Sequence, residues 1–137
     1  MWRNFLAVIV GMFVGALTVG LVEILGNFVF PLPRDVDLST PEAISQAMAS
    51  IPLGAMLFVL LAWAMGSLVG GFLAAWLAAS HHSTMALAVG GILMIGGITT
   101  LVQIPHPLWF SVIGLLLFLP AAYLGGKLAL HLNPKSH

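Results

Sequence analysis

The chain has no cysteine, and its 137 residues include only four acids and four Lys or Arg. Without cysteine, disulfides, thiolate metal sites and thiol catalysis are excluded together. Charged residues at 6% are too few to cover a water-soluble domain, and four basic residues make neither a nucleic-acid footprint nor a polybasic lipid-binding patch. HExxH, GxSxG, P-loop and paired-carboxylate patterns are absent too, so the sequence reads as non-catalytic. The five histidines, His81, His82, His106, His131 and His137, contain no i, i+3 or i, i+4 pair suited to a metal; no metal and no cofactor is expected.

What is present is apolar. Hydrophobic residues make up 61% of the chain, and the stretches Phe5 to Val22, Leu53 to Ala79, Met85 to Ile104 and Leu108 to Gly126 carry no Asp, Glu, Lys or Arg. A helix needs about 20 apolar residues to cross a bilayer, because each residue rises ~1.5 Å against ~30 Å of hydrocarbon. The expectation is an all-α, integral membrane four-helix bundle, a single domain over residues 1–137, with spans at about 5–30, 53–79, 85–104 and 108–130. The connections Ser80-His81-His82-Ser83-Thr84 and Pro105-His106-Pro107 are so short that consecutive spans must run antiparallel. In the longer first outer loop, Ser39-Thr40-Pro41-Glu42 has the hydroxyl cap, first-turn proline and early acid of a helix start, which predicts a short interfacial helix over about 41–50.

Arg3, Lys127 and Lys135 fall on one side of the four spans and Arg34 on the other, so both termini are expected to be cytoplasmic. Trp2 and Trp76 then mark the inner interface, and Trp109 with Phe110 the outer one. The two halves of the chain share patterns. Leu21-Val22-Glu23-Ile24 before Pro31-x-Pro33 matches Leu101-Val102-Gln103-Ile104 before Pro105-x-Pro107, and Gly70 to Ala78 matches Ala121 to Ala129. A duplication of this kind implies two parallel two-helix repeats about an axis along the membrane normal.

In the second span Ala62, Gly66, Gly70, Ala74 and Ala78 recur at every fourth residue; Gly11 and Gly15 in the first span and Ala121, Gly125 and Ala129 in the fourth repeat the motif. Helices in lipid associate through close backbone approach, which small residues at this spacing permit. Such stripes serve packing inside the bundle or contact with another subunit. Three stripes in four helices favour some intermolecular contact.

Glu23 is the only acid inside a predicted span, and it shares a helical face with Ala16, Gly20 and Asn27. A charged residue at the centre of a span costs ~2.5–3.5 kcal/mol on insertion scales, and less toward the interface. Glu23 is therefore either an ion or proton site, with Asn27 and Gln103 as polar neighbours, or an acid that hydrogen-bonds across helices. Gly96, Thr99, Thr100 and Gln103 form a polar strip on the outer half of the third span that lines a vestibule with Glu23 or bonds back to its own helix. Lys127 lies at the opposite end of its span from Glu23, so a direct pair is not expected.

Val22-Glu23-x-x-Gly26, Pro31-x-Pro33, Ile104 to Phe110 and Leu119 to Gly126 together resemble a group of small bacterial four-span inner-membrane proteins with no assigned activity. The resemblance covers nearly the whole chain. It implies the four-span architecture and a bacterial cytoplasmic membrane, and no site residue follows from it. The leading expectation is a non-catalytic protein acting through helix packing, as a homo-oligomer or an accessory subunit of a larger membrane complex, with the lipid bilayer and other membrane subunits as partners and no nucleic acid. The alternatives are a small channel or transporter using Glu23 in a polar outer vestibule, and lipid or quinone binding between helices.

Overall fold

A computed structural model describes residues 2–30, 39–40, 42–43, 53–103 and 107–132. Four helices follow in order: α1 over Trp2–Val29, α2 over Leu53–Leu77, α3 over His82–Gln103 and α4 over Leu108–Leu132. All four are long and apolar enough to cross a bilayer, and no strand occurs among the described residues. The described residues thus form a bundle of four helices suited to a multi-pass membrane protein.

Two helix starts lie earlier than the apolar pattern predicts, α1 at Trp2 rather than Phe5 and α3 at His82 rather than Met85. Hydropathy marks where a helix enters lipid, whereas the helix itself ends where its backbone bonds do. At α3 the first turn is closed by the Met85 amide donating to the His81 carbonyl at 2.9 Å, so His82, Ser83 and Thr84 are helical and not part of the connection. The connection is residues 78–81, and it ends on His81 at a left-handed φ of 51°, which histidine tolerates better than a β-branched residue does. In the first outer loop the Thr40 hydroxyl accepts from the Ala43 amide at 3.1 Å, the bond of a helix N-cap. The rest of the expected interfacial helix, at 41 and 44–50, lies outside the described residues.

Helix α2 packs against all three others, and α1 and α4 do not pack on each other. In cross-section this is a rhombus with α2 and α3 on its short diagonal. Two-fold related repeats would pair α1 with α4 as α2 pairs with α3, so the helix pairing departs from that symmetry.

The stripes of small residues are used inside the chain. Gly11 faces Gly70 and Gly15 faces Gly66 across an antiparallel crossing. A Cβ on Gly11 would stand 2.6 Å from the Gly70 carbonyl oxygen, and one on Gly15 would stand 2.8 Å from that of Gly66. Both contacts are reciprocated at 2.7 Å, so any side chain there would force the backbones apart. Val89 of α3 seats its two methyls on the Gly11–Gly70 pair. On the other side of α2, Gly71 lies on the Ala122 backbone and Gly125 on the Leu68 carbonyl, joining α2 and α4 in parallel. Ala62, Ala74, Ala78, Ala121 and Ala129 are likewise buried within the single chain.

The half of the bundle away from the described chain ends, named outer after the expected topology, is packed differently. Met56, Leu60, Ala62, Trp63, Phe110 and Phe118 form its core. The Trp63 ring stacks on Phe118 at 5.1 Å between centroids and meets Phe110 edge-on at 5.4 Å. Phe110, expected at the outer interface beside Trp109, is instead fully buried. Adjacent residues on a helix point about 100° apart, so of this pair only Trp109 reaches the surface.

Candidate functional site

Between α1 and α3, in the outer half, the helices leave a recess of about 230 Å³. Its position follows from how the two helices separate. Near their middles Leu93 of α3 still touches the Gly15 position of α1, but about one turn further out a Cβ on Gly20 or on Gly96 would meet nothing within 4 Å. On α2 the large Trp63 ring, and Phe118 behind it, keep the helices from closing there.

Glu23 and Ala16 of α1, Trp63 of α2, Gly96 and Thr100 of α3 and Phe118 of α4 all border this space, so every helix contributes to it. The Trp63 indole and the Glu23 carboxyl are neighbours in its lining. Thr100 spends its hydroxyl proton on the Gly96 carbonyl of its own helix, 3.1 Å away, which leaves its oxygen lone pairs as acceptors. The recess thus presents carboxyl and hydroxyl acceptors over an aromatic floor. Beneath Leu93, the glycine crossing and Val89 close the inner half.

With 28 residues, α1 is about 42 Å long, so Glu23 lies ~11 Å from its midpoint and ~4 Å inside the edge of a ~30 Å hydrocarbon layer centred on the helix. The recess runs from the helix middles, at Ala16 and Leu93, out to Glu23 and Thr100 near that edge.

Of the polar residues singled out in the sequence, Glu23 and Thr100 come together here. Asn27, Thr99 and Gln103 do not border the recess and are exposed, and the Thr99 hydroxyl donates to the Ile95 carbonyl at 3.0 Å. Lys127 stays apart from Glu23 at the inner end of α4, its ammonium 5.1 Å from the Tyr123 ring. Trp63 was the residue missed. Its signal was its depth: a tryptophan in mid-span, away from both interfaces, has an indole N–H that needs an acceptor, and Glu23 is the only acid within a span. Ser67, fully buried one turn inward with no hydrogen-bond partner for its hydroxyl, was also missed.

A second polar cluster ties off the inner end of α2. The Asn4 side-chain oxygen accepts from the amides of Ala79 and Ser80 at 2.8 and 3.2 Å, and its amide donates to the Ser80 hydroxyl at 3.0 Å. Arg3 donates through Nε to the Leu77 carbonyl at 2.8 Å, and His82 Nδ1, 2.9 Å from the Ala75 carbonyl, must be the protonated nitrogen of its ring. These contacts satisfy backbone groups that the end of α2 leaves open, a capping task. Among the described residues no group of three His, Asp or Glu is placed to hold a metal.

Comparison of the chain with protein-family models, with curated proteins and with solved structures finds no match.

Proposed function

We propose that this is a non-catalytic membrane protein that admits a small amphiphile laterally into the recess between α1 and α3. One observation carries the reading: a single recess between α1 and α3 is bordered by Glu23, Trp63 and Thr100 from three different helices, and its outer end at Glu23 lies close to the expected hydrocarbon edge. A through-channel draws less support, because the inner half below Leu93 is filled by backbone contacts. Assembly as a homo-oligomer or as an accessory subunit is a second proposal. It draws on the broad uncovered face of α1, where Phe13, Leu17, Leu21 and Phe28 stand outward, and no longer on the glycine stripes. The resemblance to bacterial four-span proteins and the Lys/Arg asymmetry support a bacterial inner membrane with cytoplasmic termini. The paired sequence motifs support an ancestral duplication whose two halves have since packed unequally.

The recess reading is tested with Trp63 as reporter, the other three tryptophans being replaced by Phe. In vesicles of phosphatidylcholine brominated high on the acyl chain, the parent should be quenched at least twofold more than Gly96→Leu, whose side chain enters open space and fills the recess. Equal quenching of the two would refute lateral access.

A further inference from the structure

We propose that the recess is selective for an ammonium group: its ligand is an amphiphile with a primary amine headgroup, held by Glu23 and Thr100 over the Trp63 ring. The inference rests on the reading of the recess as a ligand site and adds the chemistry of its occupant.

Three features of the space point the same way. Its oxygens are acceptors: the Glu23 carboxyl, and the Thr100 hydroxyl, which has already given its proton to the Gly96 carbonyl. An ammonium brings N–H donors in several directions, which a quinone carbonyl or an ether does not. Its floor is aromatic, Trp63 stacked on Phe118, and the face of an indole attracts a cation, more strongly where water is excluded. Finally, the described cations of this chain are elsewhere. Arg3, His81 and His82 lie at the inner end, as do Lys127 and His131 on α4, a bilayer's depth from Glu23. An acid set among apolar helices is stabilised by a positive partner, and the lateral opening gives such a partner a path from the outer leaflet. Small walls at Ala16, Gly96 and Gly97 leave room for an ammonium and its first methylenes in about 230 Å³.

The test uses the full chain with Trp63 as its only tryptophan, in phosphatidylcholine nanodiscs, whose trimethylammonium has no N–H to donate. Dodecylamine and dodecanol are titrated in parallel while Trp63 emission is followed. We expect a saturable change with dodecylamine, at least tenfold weaker half-saturation with dodecanol, and loss of that preference in Glu23→Gln. Gly96→Leu, which leaves Glu23 intact, should abolish the response to both. In nanodiscs of phosphatidylethanolamine without added amine, the same emission change would identify the membrane lipid as the source; its absence, with dodecylamine still binding, would identify a free amine. Equal affinity for amine and alcohol, or an unchanged preference in Glu23→Gln, would overturn the ammonium assignment and leave the recess reading standing. No saturable response to either amphiphile would overturn both. A parent that ignores dodecylamine while Arg34→Gln binds it would show that the site is served by a cation of this chain, and would likewise overturn the inference.

Discussion

The inner half of the bundle is closed by backbone and the outer half is held open by rings. In the inner half, Gly11 and Gly15 mesh with Gly70 and Gly66, Val89 fills the notch between them, and Ala75, Ala86 and Ala129 form a core of small side chains. In the outer half the same helices carry Trp63, Phe110, Phe118 and Phe58, and Phe58 stands against Gly26 where a second tight crossing would otherwise form. A small residue brings helices together only where the opposite helix is also small. Gly20 and Gly96 have nothing opposite them within reach, and there the bundle leaves a space.

The largest test of this contrast is to put side chains into the closed half. Gly66→Leu with Gly70→Leu sets branched carbons against carbonyl oxygens on α1, and we expect a loss of more than about 3 kcal/mol, the upper range for overpacking at one site, in reversible unfolding in mixed micelles. Because the contact lies within one chain, the loss should be the same at every protein concentration. A stable variant that only changed its oligomeric state would return the stripe to an intermolecular role.

The next effect is smaller and belongs to the inner cap. Asn4→Leu removes three hydrogen bonds to the α2–α3 turn, and we expect ~1–2 kcal/mol by the same unfolding measurement, less than the sum of three because water reaches this end. In the outer half, Glu23→Leu removes the carboxyl beside the Trp63 indole and should cost up to ~1–2 kcal/mol, the range of interhelical hydrogen bonds in membranes, whereas Glu23→Gln keeps an acceptor there and should be nearly silent in stability. The smallest effect is expected at Gly96. Gly96→Ala meets open space and should leave stability unchanged or raised by up to ~1 kcal/mol through helix propensity. If Gly96→Ala destabilised as strongly as a change at Gly70, the recess would be absent.

These contrasts also separate what the sequence could tell from what it could not. Four spans and short turns were legible because lipid imposes length and apolarity on every helix that crosses it. The stripe in α2 was legible as a contact face, but a glycine carries no address: the pattern announces close approach and does not say to which helix. That Gly66 and Gly70 meet Gly15 and Gly11 of the same chain needed the three-dimensional register. Glu23 and Thr100 were legible only as two of five polar candidates, Glu23 because an acid within a span is rare. Asn27, Thr99 and Gln103 shared their helices but turned elsewhere, because on a helix one residue of offset rotates a side chain by about 100°. Phe110 was misjudged for the same reason: an aromatic near a span's end serves the interface or the core according to a rotation that composition does not specify.

The difference between the two halves is most directly measured by thiol labelling, for which the absence of native cysteine makes the chain well suited. Val89→Cys and Thr100→Cys lie on the same side of α3, one in the closed half and one at the recess, and each is compared with an exposed residue of similar depth, Leu87→Cys and Thr99→Cys respectively. With a small methanethiosulfonate in mild detergent, the account predicts that Thr100→Cys reacts within about threefold of Thr99→Cys, while Val89→Cys reacts at least tenfold more slowly than Leu87→Cys. Equal protection at positions 89 and 100 would contradict it, because the outer half would then be as closed as the inner.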